Sequence, residues 1–307
     1  MSALPLGLPR WLTMVAIIAI AALLPLGVSG YILGLLTVAY YFGVFSMAWD
    51  LLFGFANEVN FGPTFLVGLG AYTAGILDSR YGLPVPVCVG LGTLAAVAGG
   101  LVLALPALRV SGPYFGLTTL VAVQLLQNLV VVFAGLTGGE IGLAVPDVIS
   151  ISSHVNYWLA LGFMVASGGI LYVLSRSAAG LILQASGQDR IQAGVLGFNV
   201  VKHKLFAFFV SAMFSGLAGG LLVFYLGTAS VGTMIDLTVG VQIIIAAVLG
   251  GRRTIIGAAI GAIFIIAMTE ALRSTGELAT LVVSAITLVV VMLFPSGFMG
   301  LLTRGRR

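Results

Sequence analysis

Apolar runs of about twenty residues, the length that an α-helix needs to cross a bilayer, cover most of the chain. Short polar or glycine-rich stretches separate them. Ten spanning helices are predicted, at residues 11–29, 31–49, 61–78, 84–106, 115–134, 156–174, 204–226, 237–250, 254–273 and 278–294. The pattern therefore predicts an all-α, polytopic transmembrane helical bundle, formed as a single domain over residues 1–307.

Positively charged residues predict the orientation of these spans. Of the 13 Lys and Arg residues, all but Arg80 and Arg273 fall in loops or tails on one side of the arrangement. Cytoplasmic loops of membrane proteins carry an excess of Lys and Arg. We therefore expect both termini to be cytoplasmic.

The predicted span at 237–250 is short, and the stretch 227–236 before it is only weakly polar. Two interpretations follow: a broken helix near a transport path, or a tilted helix with shifted boundaries. Glycine-rich hinges around residues 50–71 and 250–262 each follow an inward-going span. Their similar placement hints at an internal duplication.

The composition agrees with a chain solvated mostly by lipid. It is 60% hydrophobic and 7% charged, whereas about 25% of a soluble globular chain is charged. An anionic membrane leaflet explains the net charge of +4 better than nucleic acid does. Cys88 is the single cysteine, and His154 and His203 lie far apart. We therefore expect no metal site and no cofactor.

Polar residues at membrane depth are costly and often functional. The segment 50–63 is either an interfacial cytoplasmic turn or an unwound element that dips into the bundle. The amides within span 115–134 either line a polar path or bond to neighbouring helices. The candidates for a translocation path are Asp50, Asn57, Glu58, Gln124 and Asn128.

A short amphipathic helix is predicted within residues 186–199, SGQDRIQAGVLGFN. Ser186 and Asp189 are expected to cap its start, and Gly197 or Asn199 its end. Its apolar stripe consists of Ile191, Val195 and Phe198. Such a helix, on the basic side, suits either the membrane surface or a groove in a soluble partner.

The sequence contains no motif for nucleotide hydrolysis or other catalysis that could power transport. The phosphate-binding pattern G-x-x-x-x-G-K-[ST] is absent, and no acid–base pair or nucleophile–histidine set stands out. We therefore expect a transport subunit rather than an enzyme. If ATP powers the transport, another chain must bind it.

Six sequence blocks, in order, resemble the permeases of branched-chain amino acid ABC importers, particularly the LivM-like type. They are WDLLFGFANEVNFGPTFLVGLGAYTAGIL (49–77), SGPYFGLTTLVAVQ (111–124), LTGGEIGL (136–143), GQDRIQAGVLGFNVVKHKLFAFFVSAMFSGLAGGL (187–221), AAVLGGRRTIIGAAIGA (246–262) and FPSGFMG (294–300).

The resemblance implies a multi-pass subunit of a prokaryotic inner membrane that moves a branched-chain or related amino acid. A homologous permease would complete the path, two cytoplasmic ATP-binding subunits would drive it, and an extracellular or periplasmic binding protein would deliver the solute. The ATPase-coupling segment would lie at about residues 186–204, with its loop at 188–199. Lys202, His203 and Lys204 follow that loop and would be able to touch the ATPase or lipid headgroups. The segment's matching positions are Gln188, Asp189, Arg190, Gln192, Gly197, Asn199 and Lys202.

The sequence departs from the family pattern at three places. Ile191 occupies the usual acidic position of the coupling loop, Arg252 and Arg253 replace small residues, and Asn57 with Glu58 replaces a small-plus-Gln pair. Related permeases carry urea, short amides or other small organic solutes, which are the alternative cargo. An ion-coupled secondary transporter and a receptor-like membrane subunit are the rival interpretations.

Overall fold

The computed structural model describes residues 10–110 and 112–273, together with the single positions 282, 285 and 297. Apart from those single positions, the predicted span at 278–294 and the basic C-terminal tail lie outside the described residues. So does most of the FPSGFMG block at 294–300.

Thirteen α-helices form the described part of the chain. They are α1 (Arg10–Leu23), α2 (Gly30–Asp50), α3 (Pro63–Tyr81), α4 (Val85–Arg109), α5 (Pro113–Val132), α6 (Ala134–Thr137), α7 (Ser153–Arg176), α8 (Ala178–Gln188), α9 (Arg190–Val195), α10 (Val200–Leu226), α11 (Val231–Met234), α12 (Leu237–Gly250) and α13 (Ile256–Ala271). A 3₁₀ turn at Leu24–Leu26 follows α1, and a π-helical turn at Leu51–Phe55 follows α2.

Six of the described segments are long and apolar enough to cross a membrane. They are Gly30–Phe55, Val85–Arg109, Pro113–Val132, Ser153–Arg176, Val200–Leu226 and Val231–Gly250. Val15–Leu26 and Ile256–Ala271 are shorter apolar helices. The prediction of an all-α membrane bundle is therefore confirmed.

Glycines allow the helices α3, α4 and α10 to touch backbone to backbone. A Cβ atom on Gly70 of α3 would lie 2.4 Å from the carbonyl oxygen of Gly216 on α10. One on Gly92 of α4 would lie 2.5 Å from the carbonyl oxygen of Gly70. Small residues permit such close contact between membrane helices. These glycines therefore hold the centre of the bundle together.

The apolar run at 231–250 is interrupted. Helix α11 ends at Met234, and α12 starts after Asp236, whose carboxylate accepts a hydrogen bond from the Thr238 N–H at 2.7 Å. This break agrees with the interpretation of a broken helix.

A short sheet lies at one end of the bundle. Strand β1 (Leu143–Ala144) pairs antiparallel with β2 (Thr228–Ala229), so that Leu143 faces Ala229. The strands tie the loop before α7 to the loop after α10. The sequence pattern did not predict this pairing.

Candidate functional site

The connection between α2 and α3 is a folded part of the protein interior. The turn at Leu51–Phe55 is π-helical, a form frequent at functional sites. The Glu58 N–H donates to the Leu52 carbonyl at 2.9 Å. Asp50 and Asn60 are each only 1% exposed. Most of the segment 50–63 is therefore packed against the rest of the protein.

Asp50 joins the two glycine-rich hinges. Its carboxylate accepts hydrogen bonds from the backbone N–H groups of Arg253 at 3.0 Å and Thr254 at 3.1 Å. A buried carboxylate needs such donors, because an unpaired buried charge is very costly. A Cβ atom on Gly54 would lie 2.3 Å from the Asp50 Oδ1 atom, so this position has no room for a larger side chain.

The two arginines that depart from the family pattern bind this same turn. Arg253 Nε donates to the Gly54 carbonyl at 2.8 Å. The Arg252 guanidinium lies 4.4 Å from the centre of the Phe53 ring and donates to the Asn57 Oδ1 atom. The loop between α12 and α13 therefore contacts the π-helical turn through both arginines.

Lys204, near the start of α10, is buried inside the protein. Its Nζ atom lies 2.6 Å from the Glu58 Oε1 atom and donates to the carbonyl of Ala107 in α4. The exposed fractions of the two side chains are 4% for Lys204 and 9% for Glu58. Burial raises the pKa of Glu58, while Lys204 acts in the opposite direction. The expectation that Lys204 touches an ATPase or lipid headgroups is therefore wrong.

The start of the predicted amphipathic helix differs from the expectation. Ser186 lies in the last turn of α8, and its hydroxyl is buried without a partner among the described residues. Asp189 alone caps α9, accepting from the N–H groups of Ile191 at 2.9 Å and Gln192 at 3.0 Å. The backbone of Asp189 is extended, so the helix is interrupted at this residue and α8 and α9 are separate.

The structure shows which of the two predicted residues, Gly197 or Asn199, ends the amphipathic helix α9. Gly197 has φ +85°, a conformation that favours glycine. The Phe198 N–H donates to the Ala193 carbonyl and the Gly197 N–H to the Gly194 carbonyl, which is a Schellman motif. Asn199 instead starts α10 by accepting from the Lys202 N–H at 2.9 Å. Gly197 therefore ends α9.

Helix α9 exposes its apolar side. Ile191 is 80% exposed, Val195 84% and Leu196 71%, whereas Ala193 is buried against the protein. All the predicted coupling residues except the half-buried Asp189 are also exposed: Gln188, Arg190, Gln192, Gly197, Asn199 and Lys202. This segment therefore has an unpaired apolar surface surrounded by polar groups.

Gln124 and Asn128, the remaining candidates for the translocation path, lie apart from the first hinge at residues 50–71. Gln124 and Asn128 are exposed on the outward side of α5, and Asn128 donates to the Gln124 carbonyl at 2.9 Å. The N-terminal half of α5 does contact the hinge, because the Phe61 N–H donates to the Thr119 hydroxyl at 2.9 Å. The structure therefore brings Asp50, Asn57 and Glu58 together and leaves the two amides on a separate face.

Comparison with known proteins identifies the family. A family model described as the permease component of branched-chain amino acid transport systems matches residues 31–293. The chain belongs to this family. The permease is thus a multi-pass protein of the inner membrane, as the resemblance implied, and its six long apolar helices fit a multi-pass protein. No solved structure matches it.

Several curated relatives share the permease name. The high-affinity branched-chain amino acid permease LivM of Salmonella typhimurium is 24% identical, over 94% of this chain and 74% of LivM. LivH of the same organism is also 24% identical, over 86% of this chain and 92% of LivH. The ribose import permease RbsC of Haemophilus influenzae is 26% identical, over 62% of this chain and 60% of RbsC. The chain is thus similar to two differently named permeases of one organism.

Proposed function

We propose that this permease is the membrane subunit of an ATP-driven importer for a branched-chain or related amino acid. It acts as one transmembrane domain over residues 1–307, with about ten spans and both termini cytoplasmic. It pairs with a homologous permease, receives solute from an extracellular binding protein and binds two ATPase subunits that hydrolyse ATP. The family match over residues 31–293 is the observation that carries this proposal.

The distribution of charge supports the orientation. Arg252, Arg253 and Lys204 each bind a residue of the segment 50–63, and Arg109 and Arg176 end helices that lead to the same end of the bundle. Arg80 and Arg273 lie at the other end, where Arg80 donates to the Gly135 carbonyl and Arg273 to Glu270. An excess of Lys and Arg marks the cytoplasmic side. The end that carries α9 is therefore the one an ATPase would meet.

The exposed side of α9 supports the coupling role. A short helix with apolar side chains directed away from its own protein fits a groove in a soluble partner. Ile191 stands where the family usually has an acidic residue. We therefore expect an apolar contact with the ATPase at this position instead of a salt bridge. The polar coupling residues around it would orient the ATPase: Gln188, Asp189, Arg190, Gln192, Gly197, Asn199 and Lys202.

We place the solute path along the outward face of α5. Gln124 and Asn128 on this face offer amide groups that suit a zwitterionic solute, and exposure of such groups to lipid alone is unfavourable. The hinge residues Asp50, Asn57 and Glu58 lie at the cytoplasmic end of this path. The bond between Phe61 and Thr119 supports that placement because it joins the hinge to α5.

A second candidate is the same machinery with a different cargo. The similarity to a ribose import permease favours it, since this relative is named for a solute that is not an amino acid. Urea, short amides and other small organic solutes belong to this candidate. Ligand binding by the extracellular binding protein encoded with this chain distinguishes the two.

Substitution of Gly197 tests the coupling role. Gly197→Glu introduces a side chain where φ is +85°, and it should distort the end of α9. In proteoliposomes that contain the full complex, we expect ATP hydrolysis to continue while solute uptake falls at least about tenfold. Gly135→Glu is the matched control, because Gly135 lies in the exposed helix α6 with no atom near its Cβ position.

Two results would contradict the proposal. Normal ATP-driven uptake by Gly197→Glu would remove α9 from the coupling route. Uptake by the isolated permease, driven by an ion gradient without ATP, would favour a secondary transporter. Absence of uptake under either condition, with the partners still bound, would favour a receptor-like subunit.

A further inference from the structure

The ion pair between Glu58 and Lys204 stands at the junction of the coupling segment and the hinge. Lys204 lies near the start of α10, the helix that follows α9, and Glu58 follows the π-helical turn. Lys204 also donates to the carbonyl of Ala107 near the end of α4. One ammonium group thus contacts two elements that are distant in sequence from its own helix.

We propose that Glu58 and Lys204 form a mechanical link that transmits movement of the coupling segment to the hinge. They are positioning residues for transport and do not touch the ATPase. This inference rests on the proposed function, since it requires a partner that moves residues 189–199. It adds the route by which that movement enters the membrane bundle.

The energetics of a buried pair support a link of this kind. Separating two charges inside a protein leaves each of them without compensation, which is strongly unfavourable. The pair contributes little net stability compared with an apolar replacement, so its presence needs another reason. When α10 shifts at Lys204, Glu58 is therefore drawn with it.

From Glu58 the route continues through the backbone. The Glu58 N–H donates to the Leu52 carbonyl at 2.9 Å, which joins it to the π-helical turn. The carbonyl of Gly54 in this turn accepts from Arg253 Nε at 2.8 Å. Movement at Glu58 therefore reaches the loop between α12 and α13, where Asp50 holds the backbone of Thr254.

A second contact joins the same two regions. A Cβ atom on Gly187, at the end of α8, would lie 2.8 Å from the carbonyl oxygen of Phe55 in the π-helical turn. The coupling segment therefore approaches the turn itself through Gly187, before α9, and contacts Glu58, which follows the turn, through Lys204 after α9. Displacement of α9 as a unit acts on the turn from both contacts.

A small cavity lies beside the pair. Its volume is about 10 Å³, and its lining includes Glu58, Lys204, Ser186 and Arg190. The Ser186 hydroxyl is buried and has no partner among the described residues. A hydroxyl both donates and accepts, so it can bond to either charge when the pair separates.

Single substitutions in the reconstituted complex test the link. The variants are Glu58→Gln and Lys204→Gln, and the measurement is solute taken up per ATP hydrolysed. We expect this ratio to fall about tenfold or more, while the ATPase subunits still copurify because α9 itself is unchanged. Lys204→Arg retains the charge and should preserve most of the ratio.

Arg273→Gln is the matched control. Arg273 also forms an ion pair with a glutamate, Glu270, at 3.2 Å, but its side chain is 73% exposed and lies at the other end of the bundle. Exposed pairs contribute little, so this variant should couple uptake to ATP as the unchanged protein does. If removal of any one positive charge lowered the uptake per ATP, the ratio would fall in both Lys204→Gln and Arg273→Gln.

The double variant Glu58→Gln/Lys204→Gln addresses folding. It leaves no unpaired buried charge, so it assembles even where a single variant does not. Its ratio should be as low as that of the single variants, because both changes break the same link. A ratio equal to that of the unchanged protein would overturn the inference.

Failure of the link and failure of the proposed function give different results. If uptake by the unchanged complex requires ATP and the double variant couples normally, only the link is wrong. If uptake by the unchanged complex does not require ATP, the proposed function itself is wrong, and the link falls with it.

Discussion

The Asp50 carboxylate bonds to the backbone N–H of Thr254 at 3.1 Å, across 204 residues of sequence. Asp50 ends helix α2, and Thr254 precedes helix α13. The same carboxylate accepts from Arg253 at 3.0 Å. One buried side chain thus accepts hydrogen bonds from two backbone N–H groups of the second hinge, around residues 250–262. The two glycine-rich hinges, which looked like separate features of the sequence, form one structural unit.

Removal of this carboxylate should destabilise the permease. In Asp50→Ala the partly buried N–H groups of Arg253 and Thr254 lose their acceptor, at a cost of about 2 kcal/mol. The measurement is the thermal unfolding midpoint in detergent. Asp236→Ala is the control, since Asp236 caps a helix by one bond and its loss costs about 1 kcal/mol. A smaller shift for Asp50→Ala than for the control would show that the contact is not structural.

Close helix contact should make Gly70 intolerant of substitution. A methyl group there would lie 2.4 Å from the carbonyl oxygen of Gly216, so Gly70→Ala must push α3 and α10 apart. Overpacking of this kind costs about 1 to 3 kcal/mol. Gly90→Ala on α4 is the matched control, because no atom lies within 4 Å of its Cβ position. Equal midpoints for the two variants would contradict this account of the bundle centre.

The apolar side of α9 should determine binding of the ATPase. Val195→Ser removes apolar surface at a position that is 84% exposed, so the fold of the permease itself should be unaffected. We expect the Kd for the ATPase subunits to rise about tenfold, as burial of a Val side chain contributes about 1.5 kcal/mol or more. The control is Val173→Ser on α7, 68% exposed and outside the coupling segment. Binding that responds equally to both changes would exclude α9 as the contact.

The outward face of α5 should lie next to the partner permease. A photoreactive benzoylphenylalanine at Gln124 or at Val121, which is 67% exposed, should crosslink to that partner in membranes. The same residue at Val102 on α4 or Val173 on α7 should crosslink far less, although these positions are 65% and 68% exposed. Strong crosslinking from α4 or α7 with none from α5 would place the partner on another face.

Much of the helical architecture could be predicted from the sequence. The predicted span 237–250 coincides with α12, and 31–49 lies within α2. Helices α7 and α10 begin three or four residues earlier than predicted, because polar residues at their ends belong to the helix although they are not apolar. Gly197 and Asp189 were recognised because capping depends on residues only a few positions away.

The site itself was only partly visible in the sequence. The sequence does not predict that Asp50 and Glu58 are buried against distant helices. It predicts Lys204 as a residue able to touch an ATPase or lipid headgroups, and nothing near it in sequence indicates that it pairs with Glu58. Ser186 was expected to cap α9, whereas Asp189 does so alone.

The sequence by itself determined the membrane character, most of the helices and the family of this permease. These depend on the length of apolar runs, on local capping and on ordered sequence blocks, which are all properties of neighbouring residues. Only the tertiary structure decided which polar groups meet: Asp50 with Thr254, Glu58 with Lys204, and Arg253 with Gly54. Such pairs join distant segments, and their formation depends on how closely the helices pack.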